Sequence, residues 1–198
     1  MGGQVHDGSA CLWTSATHAA VLLSSLGDEQ GLKLLAAMTN NAAIQGGNKQ
    51  VAQKVAAGQF AFGLTDTDDA MIEIERGEPV AIVFPDQLEN QCGTLLIPNT
   101  LAIIKNGPNP NRAQQMLKRL LEADIESRLA VADSAQLPLA SDIEPDLRSR
   151  VMARWLSVAR DKNRTSKLPK LKTMSVDFGA AAESWDRHKQ TLSELTEQ

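Results

Sequence analysis

Three carboxylates follow a short apolar run near the middle of the chain. Asp66, Asp68 and Asp69 stand directly after residues 60–64, which read FAFGL. A short apolar run of this kind is consistent with a buried strand. Ligands of open α/β sheets bind beyond the carboxyl ends of the strands, so this acidic stretch is a candidate ligand edge. Carboxylate oxygens are hard ligands, and they suit calcium, magnesium or ferric iron.

The same carboxylates fit other roles as well. Thr67 or Asp68 can begin a short helix that runs to Glu75, and the helix dipole favours carboxylates in a first turn. Asp66 and Asp68 also have the spacing of the nucleophile and the acid–base residue of phosphohydrolases, but no later strand ends in paired aspartates. A helix-loop-helix calcium loop is excluded, because the central glycine and the final glutamate that it needs are absent.

Two other segments carry groups that could bind an anion. Thr14, Ser15, Ala16 and Thr17 lie where a helix is predicted to begin. Free amides and hydroxyls at a helix N-terminus form an anion site, although simple capping is the alternative. Asn48 follows a glycine turn, and its side-chain oxygen can cap the next helix.

Helix and strand signals alternate along the chain, which predicts an α/β fold. N-cap residues and apolar residues at helical spacing predict helices at about 15–26, 28–38, 48–57, 67–75, 110–121, 125–131, 145–156 and 177–195. Apolar runs predict strands at 60–64 and 79–84, and two half-strands between residues 94 and 104, separated by Pro98. The helix that begins at Pro110 is expected to bury its apolar stripe.

Composition narrows the function classes. The chain has 198 residues, enough for one large domain or two small ones, and its net charge of −4 gives no electrostatic support to nucleic-acid binding. No apolar run has the length of a membrane helix, and no signal peptide follows Met1. Cys11 and Cys92 lack metal-ligand spacing, and they either pair in an oxidising compartment or stay as two buried thiols.

Six segments in order, with a seventh near the end, resemble the periplasmic solute-binding proteins of ABC importers. The resemblance is to the ferric-iron-binding type, and it runs from about Thr14 to the end of the chain. The segments are residues 14–20 (TSATHAA), 46–58 (GGN to VAAG), 63–70 (GLTDTDDA), 83–87 (VFPDQ), 93–99 (GTLLIPN), 134–139 (SAQLPL) and 174–178 (MSVDF).

The resemblance implies a type II, two-lobed α/β protein that closes on a ligand and then docks on an ABC permease. Residues 1–93 would form the core of the second lobe, residues 94–172 a hinge strand and part of the first lobe, and residues 173–198 a helix that packs back on the lobes. It also implies a periplasmic or extracytoplasmic location, no enzymatic activity and no catalytic residue.

Family ligand positions map onto this chain residue by residue. The synergistic anion maps to Thr14, Ser15, Ala16 and Thr17, the cleft asparagine to Asn48, a polar cleft residue to Asp66, and the adjacent iron-binding tyrosine pair to Asp68 and Asp69. The chain contains no tyrosine, and carboxylates bind ferric iron more weakly and less selectively. The ligand is therefore expected to be ferric iron or another cation with a small anion. A small anionic solute such as a phosphate ester, and an interaction module that binds no ligand, are the alternatives.

The resemblance begins inside the second lobe, so the N-terminal elements of the family are not expected in this chain. Incomplete sheets expose strand edges and apolar faces. We therefore expect copies of this chain to self-associate or to exchange elements, giving a homo-oligomer.

Overall fold

The computed structural model describes residues 13–140, 142–158 and 171–196. These residues form eight α-helices and no sheet. The helices are α1 (Trp13–Leu26), α2 (Asp28–Asn41), α3 (Asn48–Ala56), α4 (Thr67–Glu75), α5 (Pro110–Leu120), α6 (Ala123–Val131), α7 (Pro145–Val158) and α8 (Phe178–Thr196).

The predicted α/β class is wrong, and with it the two-lobed type II architecture. Residues 60–64, 79–84 and 94–104 adopt neither helix nor sheet within the described part of the chain. High strand propensity means that a segment suits a pleated, half-buried surface, and it creates a strand only where a neighbouring strand supplies the ladder. Here the runs make at most isolated backbone bridges, at Ile82 and Thr94, and no bridge extends into a ladder within the described residues.

The helix predictions fare better because their signals are local. α5 begins at Pro110, as the Asn-Pro pair predicts, since proline fixes a helical φ where no amide donor is needed. Asp177 caps α8, and its Oδ1 accepts hydrogen bonds from the Gly179 and Ala180 amides at 2.9 and 3.1 Å. The described residues divide into two compact units, and the domain ranges given above stay predictions.

The first unit comprises Met1–Gly47, Leu95–Ile97 and Thr173–Gln198. In its described part, α1 packs against both α2 and α8. The buried side chains are small or aliphatic, and they lie at helical spacing along α1 and α8. They are Ala19, Ala20, Val21, Leu23, Ala181 and Leu192. This helix-on-helix core follows from the apolar stripe of α1, which no polar residue interrupts between positions 19 and 23.

The approach of α2 to α1 depends on Gly31. A Cβ at this position would lie 2.9 Å from the Cα of Leu23 and equally close to its Cδ2. Leu23 itself is fully buried. A separate interaction joins α2 to α8, because Asp28 lies 3.3 Å from Arg187 and 3.0 Å from the His188 ring. Hydrogen bonds from His188 and then Arg187 lower the pKa of the Asp28 carboxyl.

The second unit comprises Asn48–Thr94 and Pro98–Lys172. In its described part, α4 packs against α3 and α7, and α7 packs against α6. Met71 on α4 is fully buried, and Trp155 on α7 donates its indole N–H to the Ala135 carbonyl at 2.7 Å. Arg154 fixes the far end of α4, because its guanidinium lies 2.6 Å from Glu75 and donates to the Ala132 carbonyl at 2.7 Å.

Helix α5 does not share in this packing. None of its residues is buried, and it makes no extensive contact with another described helix. The prediction that α5 buries its apolar stripe is therefore wrong within the described residues of a single chain. The stripe consists of Ala113, Met116, Leu117, Leu120 and Leu121, and Met116 is 60% exposed.

The described helices include none that combines the length and the apolar character required to cross a membrane.

We expect Gly31→Ala to destabilise the first unit. In most helix positions this substitution stabilises by up to about 1 kcal/mol, because alanine is the better helix former. Here the added methyl group would collide with the backbone of Leu23. Overpacking of this kind costs about 1–3 kcal/mol. Urea unfolding followed by circular dichroism measures the change, and a gain in stability for Gly31→Ala would contradict the close packing.

Candidate functional site

The three predicted carboxylates meet at the start of α4. Asp66 precedes the helix as its N-cap, and Asp68 and Asp69 lie in its first turn. An N-cap aspartate ordinarily accepts a hydrogen bond from an amide of the first turn. The Asp66 side chain makes no such capping bond, so its carboxylate is not committed to the helix end.

Asn48, the first residue of α3, holds Asp66 in place instead. The Asn48 side-chain amide donates to Asp66 Oδ2 at 2.6 Å. The Thr65 hydroxyl donates to the Asn48 backbone carbonyl at 3.0 Å. Gly63 completes the contact, because a Cβ there would collide with the Val51 side chain on α3. The loop that carries Asp66 is thus tied to the first turn of α3.

The carboxylates are close enough to share one ion. One oxygen from each of Asp66, Asp68 and Asp69 lies within 4.8 Å of the other two. Asp66 Oδ1, the oxygen that Asn48 does not contact, is buried and receives no hydrogen bond from the described residues. A buried acceptor without a donor carries an unfavourable desolvation cost, which a bound cation would offset.

Burial and mutual repulsion make this site electrostatically unfavourable when it is empty. Desolvation raises the pKa of Asp66, Asp68 and Asp69, and for Asp68 repulsion from Asp66 adds to it. The hydrogen bond from Asn48 acts in the opposite direction on the pKa of Asp66. Lys49 lowers the pKa of Asp69, but this offsets only part of the rise that desolvation causes. The balance favours any positive charge that enters the cluster.

The N-terminus of α4 lies under the cluster and bears a partial positive charge. This charge stabilises Asp68 and Asp69 as a first-turn pair, as the structural interpretation of the sequence predicts. It does not remove the repulsion, since the pKa of all three carboxyls remains raised. None of the described ion pairs involves these aspartates.

The carboxylate oxygens suit a hard cation, and their spacing accommodates one as large as calcium. Calcium binds oxygen at about 2.3–2.6 Å, so its opposite ligands stand roughly 5 Å apart. The spacing of up to 4.8 Å in the cluster lies within that limit. Magnesium requires about 2.0–2.1 Å, which brings opposite ligands to roughly 4 Å and demands a stricter octahedral arrangement. The three aspartates would occupy part of the coordination shell of such an ion and leave the rest to water or to an anion.

The predicted anion-binding residues and the acidic cluster belong to different units. Thr14, Ser15, Ala16 and Thr17 lie near the start of α1, in the first unit, whereas the cluster is built from residues of the second. Trp13, the first described residue, is already helical, so the helix includes residues before the predicted start near Ser15 or Thr17. The resemblance also assigns Asn48 to the anion site, whereas its side-chain amide donates a hydrogen bond to the Asp66 carboxylate.

Two other reactive side chains lie outside the cluster. Burial lowers the pKa of His18 on α1, which agrees with a structural histidine. The Cys92 thiol is exposed and donates to Asp86 at 3.0 Å, and this hydrogen bond raises the pKa of the thiol. The prediction of two buried thiols is therefore wrong for Cys92, and the predicted pairing stays open because Cys11 lies outside the described residues.

Sequence reasoning missed the partner of Asp66. Asn48 was predicted as a helix cap, and the eighteen positions between it and Asp66 fit no periodic pattern that would join them. Gly63 was the available signal, because a glycine inside an apolar run marks a close approach of two backbones. That close approach is to α3, which begins at Asn48.

No protein-family model matches the chain, and comparisons with curated proteins and with solved structures found no match either. The resemblance to ferric-iron-binding proteins therefore stays a prediction, and the case for a site rests on the geometry of these residues.

Proposed function

We propose that this chain binds a hard cation through Asp66, Asp68 and Asp69 and serves as the solute-binding component of an ABC importer. The observation that carries the proposal is the cluster itself. Three carboxylate oxygens lie within 4.8 Å of one another, and Asp66 Oδ1 is buried without a hydrogen-bond donor among the described residues. Such a cluster has a clear electrostatic reason to take up a positive ion.

The cargo in this proposal is ferric iron, alone or with a small anion. Hard oxygen ligands suit ferric iron, and the resemblance puts Asp68 and Asp69 at the family's metal-binding positions. Because tyrosine is absent from the chain, carboxylates would have to serve in place of phenolates. Other hard cations, calcium above all, are expected to compete, since carboxylates distinguish among them mainly by size and coordination number.

The role in transport rests on the resemblance rather than on the architecture. Seven sequence segments occur in the order found in the ferric-iron-binding type, and two of them, at Asn48 and at Asp66, meet in the described structure. A permease partner and an extracytoplasmic location belong to the same proposal. The type II sheet architecture does not belong to it, because the described chain is helical.

Calorimetric titration tests cation binding. Calcium chloride and ferric citrate are expected to give saturable heats with the unaltered chain. Asp68→Ala combined with Asp69→Ala should weaken binding at least about tenfold, because two of the three charged ligands are removed. Glu78→Ala combined with Asp133→Ala is the matched control, since it removes the same charge from exposed positions of the same unit.

The control variant should titrate like the unaltered chain. Titrations that are flat for both cations, or unchanged by the Asp68 and Asp69 substitutions, would show that the acidic stretch is only the first turn of a helix.

The raised pKa of Asp68 gives a second test, on stability. A carboxyl whose pKa is higher in the folded state than its ordinary value near 3.9 destabilises the fold while it is charged. This cost is present at neutral pH and disappears as the pH falls through the folded pKa towards about 4. Without cation, Asp68→Asn should therefore unfold at higher urea than the unaltered chain at pH 7, by up to about 1 kcal/mol.

The two proteins should converge in stability as the pH is lowered towards about 4. Added calcium should reverse their order at neutral pH, because a ligand stabilises the state that binds it. If Asp68→Asn is the less stable protein in a chelating buffer at pH 7, the cluster is not strained when empty.

A further inference from the structure

Helix α5 has an apolar face on which no other described helix packs. The helix has eleven residues, buries none of them, and makes no extensive contact with another described helix. Isolated helices shorter than about 12–15 residues are marginal in water, and most helices in proteins are stabilised by packing of an apolar face. We therefore expect α5 to be stabilised by a partner that packs on its apolar face.

The segment before α5 extends the same unsatisfied surface. Ile104 is 82% exposed, and Leu101 and Ile103 are nearly half exposed. The backbone amides of residues 101–104 donate no hydrogen bond within the described chain; only the Ile104 carbonyl accepts one, from Gly107. Unpaired amides beside exposed β-branched side chains form an edge to which another strand can add.

Together these elements form a groove of about 490 Å³, which we call the α5 groove. Its floor is apolar, from Leu101, Ile103 and Ile104 on one side and Met116 and Leu120 on the other. Its edge is basic, because Arg112 lines it and the exposed Lys105 directly follows Ile104 in the chain. An occupant should therefore combine an apolar segment with nearby carboxylates.

Residues 61–64 of the same chain have that chemistry. Phe62 is 85% exposed and Leu64 is 60% exposed. In a strand these two side chains would lie on one face, since side chains two positions apart point the same way. Their backbone amides, like those of residues 101–104, donate no hydrogen bond within the described chain. Asp66, Asp68 and Asp69 follow within five positions.

We propose that the α5 groove binds residues 61–64 of a second copy of this chain. The added segment pairs its backbone with residues 101–104 and inserts Phe62 and Leu64 between that edge and α5. The acidic cluster that follows then faces Lys105 and Arg112. Two copies related by a twofold axis make this contact twice, so each chain contributes one groove and one segment.

The size of the surface agrees with a stable dimer. Residues 101–121 include none that is buried, and only Gly107, Ala113 and Leu117 are even half buried. Stable protein interfaces involve roughly 20–30 residues on each side. The groove is lined by 13 residues and the segment has four, so each chain contributes 17 residues, close to the lower end of that range. A small apolar ligand would fill part of the groove but would leave the amides of residues 101–104 unpaired.

The arrangement predicts complementation between two variants, measured by sedimentation velocity at micromolar protein in a chelating buffer. The unaltered chain should be a dimer. Phe62→Lys alters only the segment, and Ile104→Lys alters only the groove. Each should weaken association at least about tenfold, because an ammonium group cannot enter an apolar groove without losing its hydration. Both side chains are more than four-fifths exposed, so the fold should persist, as circular dichroism can check.

An equimolar mixture of the two variants should recover a dimer, because the intact groove of one can bind the intact segment of the other. Val131→Lys is the control, since Val131 is 68% exposed in the same unit but lies outside both surfaces. It should dimerise like the unaltered chain.

Several results would overturn the proposal. They are an unaltered chain that stays monomeric, Phe62→Lys that dimerises normally, a mixture that fails to recover, or Val131→Lys that dissociates. Saturable binding of a dodecyl-chain probe by a monomer would assign the groove to an apolar ligand instead. The chelating buffer keeps these outcomes independent of cation binding at the acidic cluster.

Discussion

Backbone amides and carbonyls need hydrogen-bond partners, and in the described part of this chain the helices supply most of them. A helix satisfies its own backbone, so each of the eight forms wherever local sequence allows it. A strand cannot do so, because its partners lie on another strand. The apolar runs at residues 60–64, 79–84 and 94–104 have no ladder to join, and the packing of both units is left to the helices.

This difference explains which parts of the fold the sequence could predict. Asp177 as the cap of α8 and Pro110 as the first residue of α5 were predictable, because the signal and its effect lie within one helical turn. The fold class was not, because it depends on whether apolar runs find each other across the chain. FAFGL has the composition of a buried strand, yet Phe62 is largely exposed. Composition describes what a segment can do, and the presence of a neighbour decides whether it does so.

The candidate site divides in the same way. Asp66, Asp68 and Asp69 were found from sequence because they are adjacent, and adjacency on a helical turn brings their oxygens together. The Asn48 amide that holds Asp66 was assigned to a different task, since the contact depends on how α3 and α4 pack. That packing depends in turn on Gly63, where the loop comes so close to Val51 that no side chain fits. Local sequence thus brings the three carboxylates together, whereas tertiary packing decides how Asp66 is oriented.

The stacking of Phe84 on Trp155 has a consequence for how this chain can be observed. The two rings lie 6.1 Å apart, and Trp155 is almost fully buried in the second unit. Trp185 on α8 packs against the core of the first unit. With no tyrosine in the chain, near-ultraviolet absorption and emission come chiefly from its three tryptophans. Each unit therefore has an intrinsic fluorophore in its core or packed against it, so the loosening of either unit changes the emission of its own tryptophan.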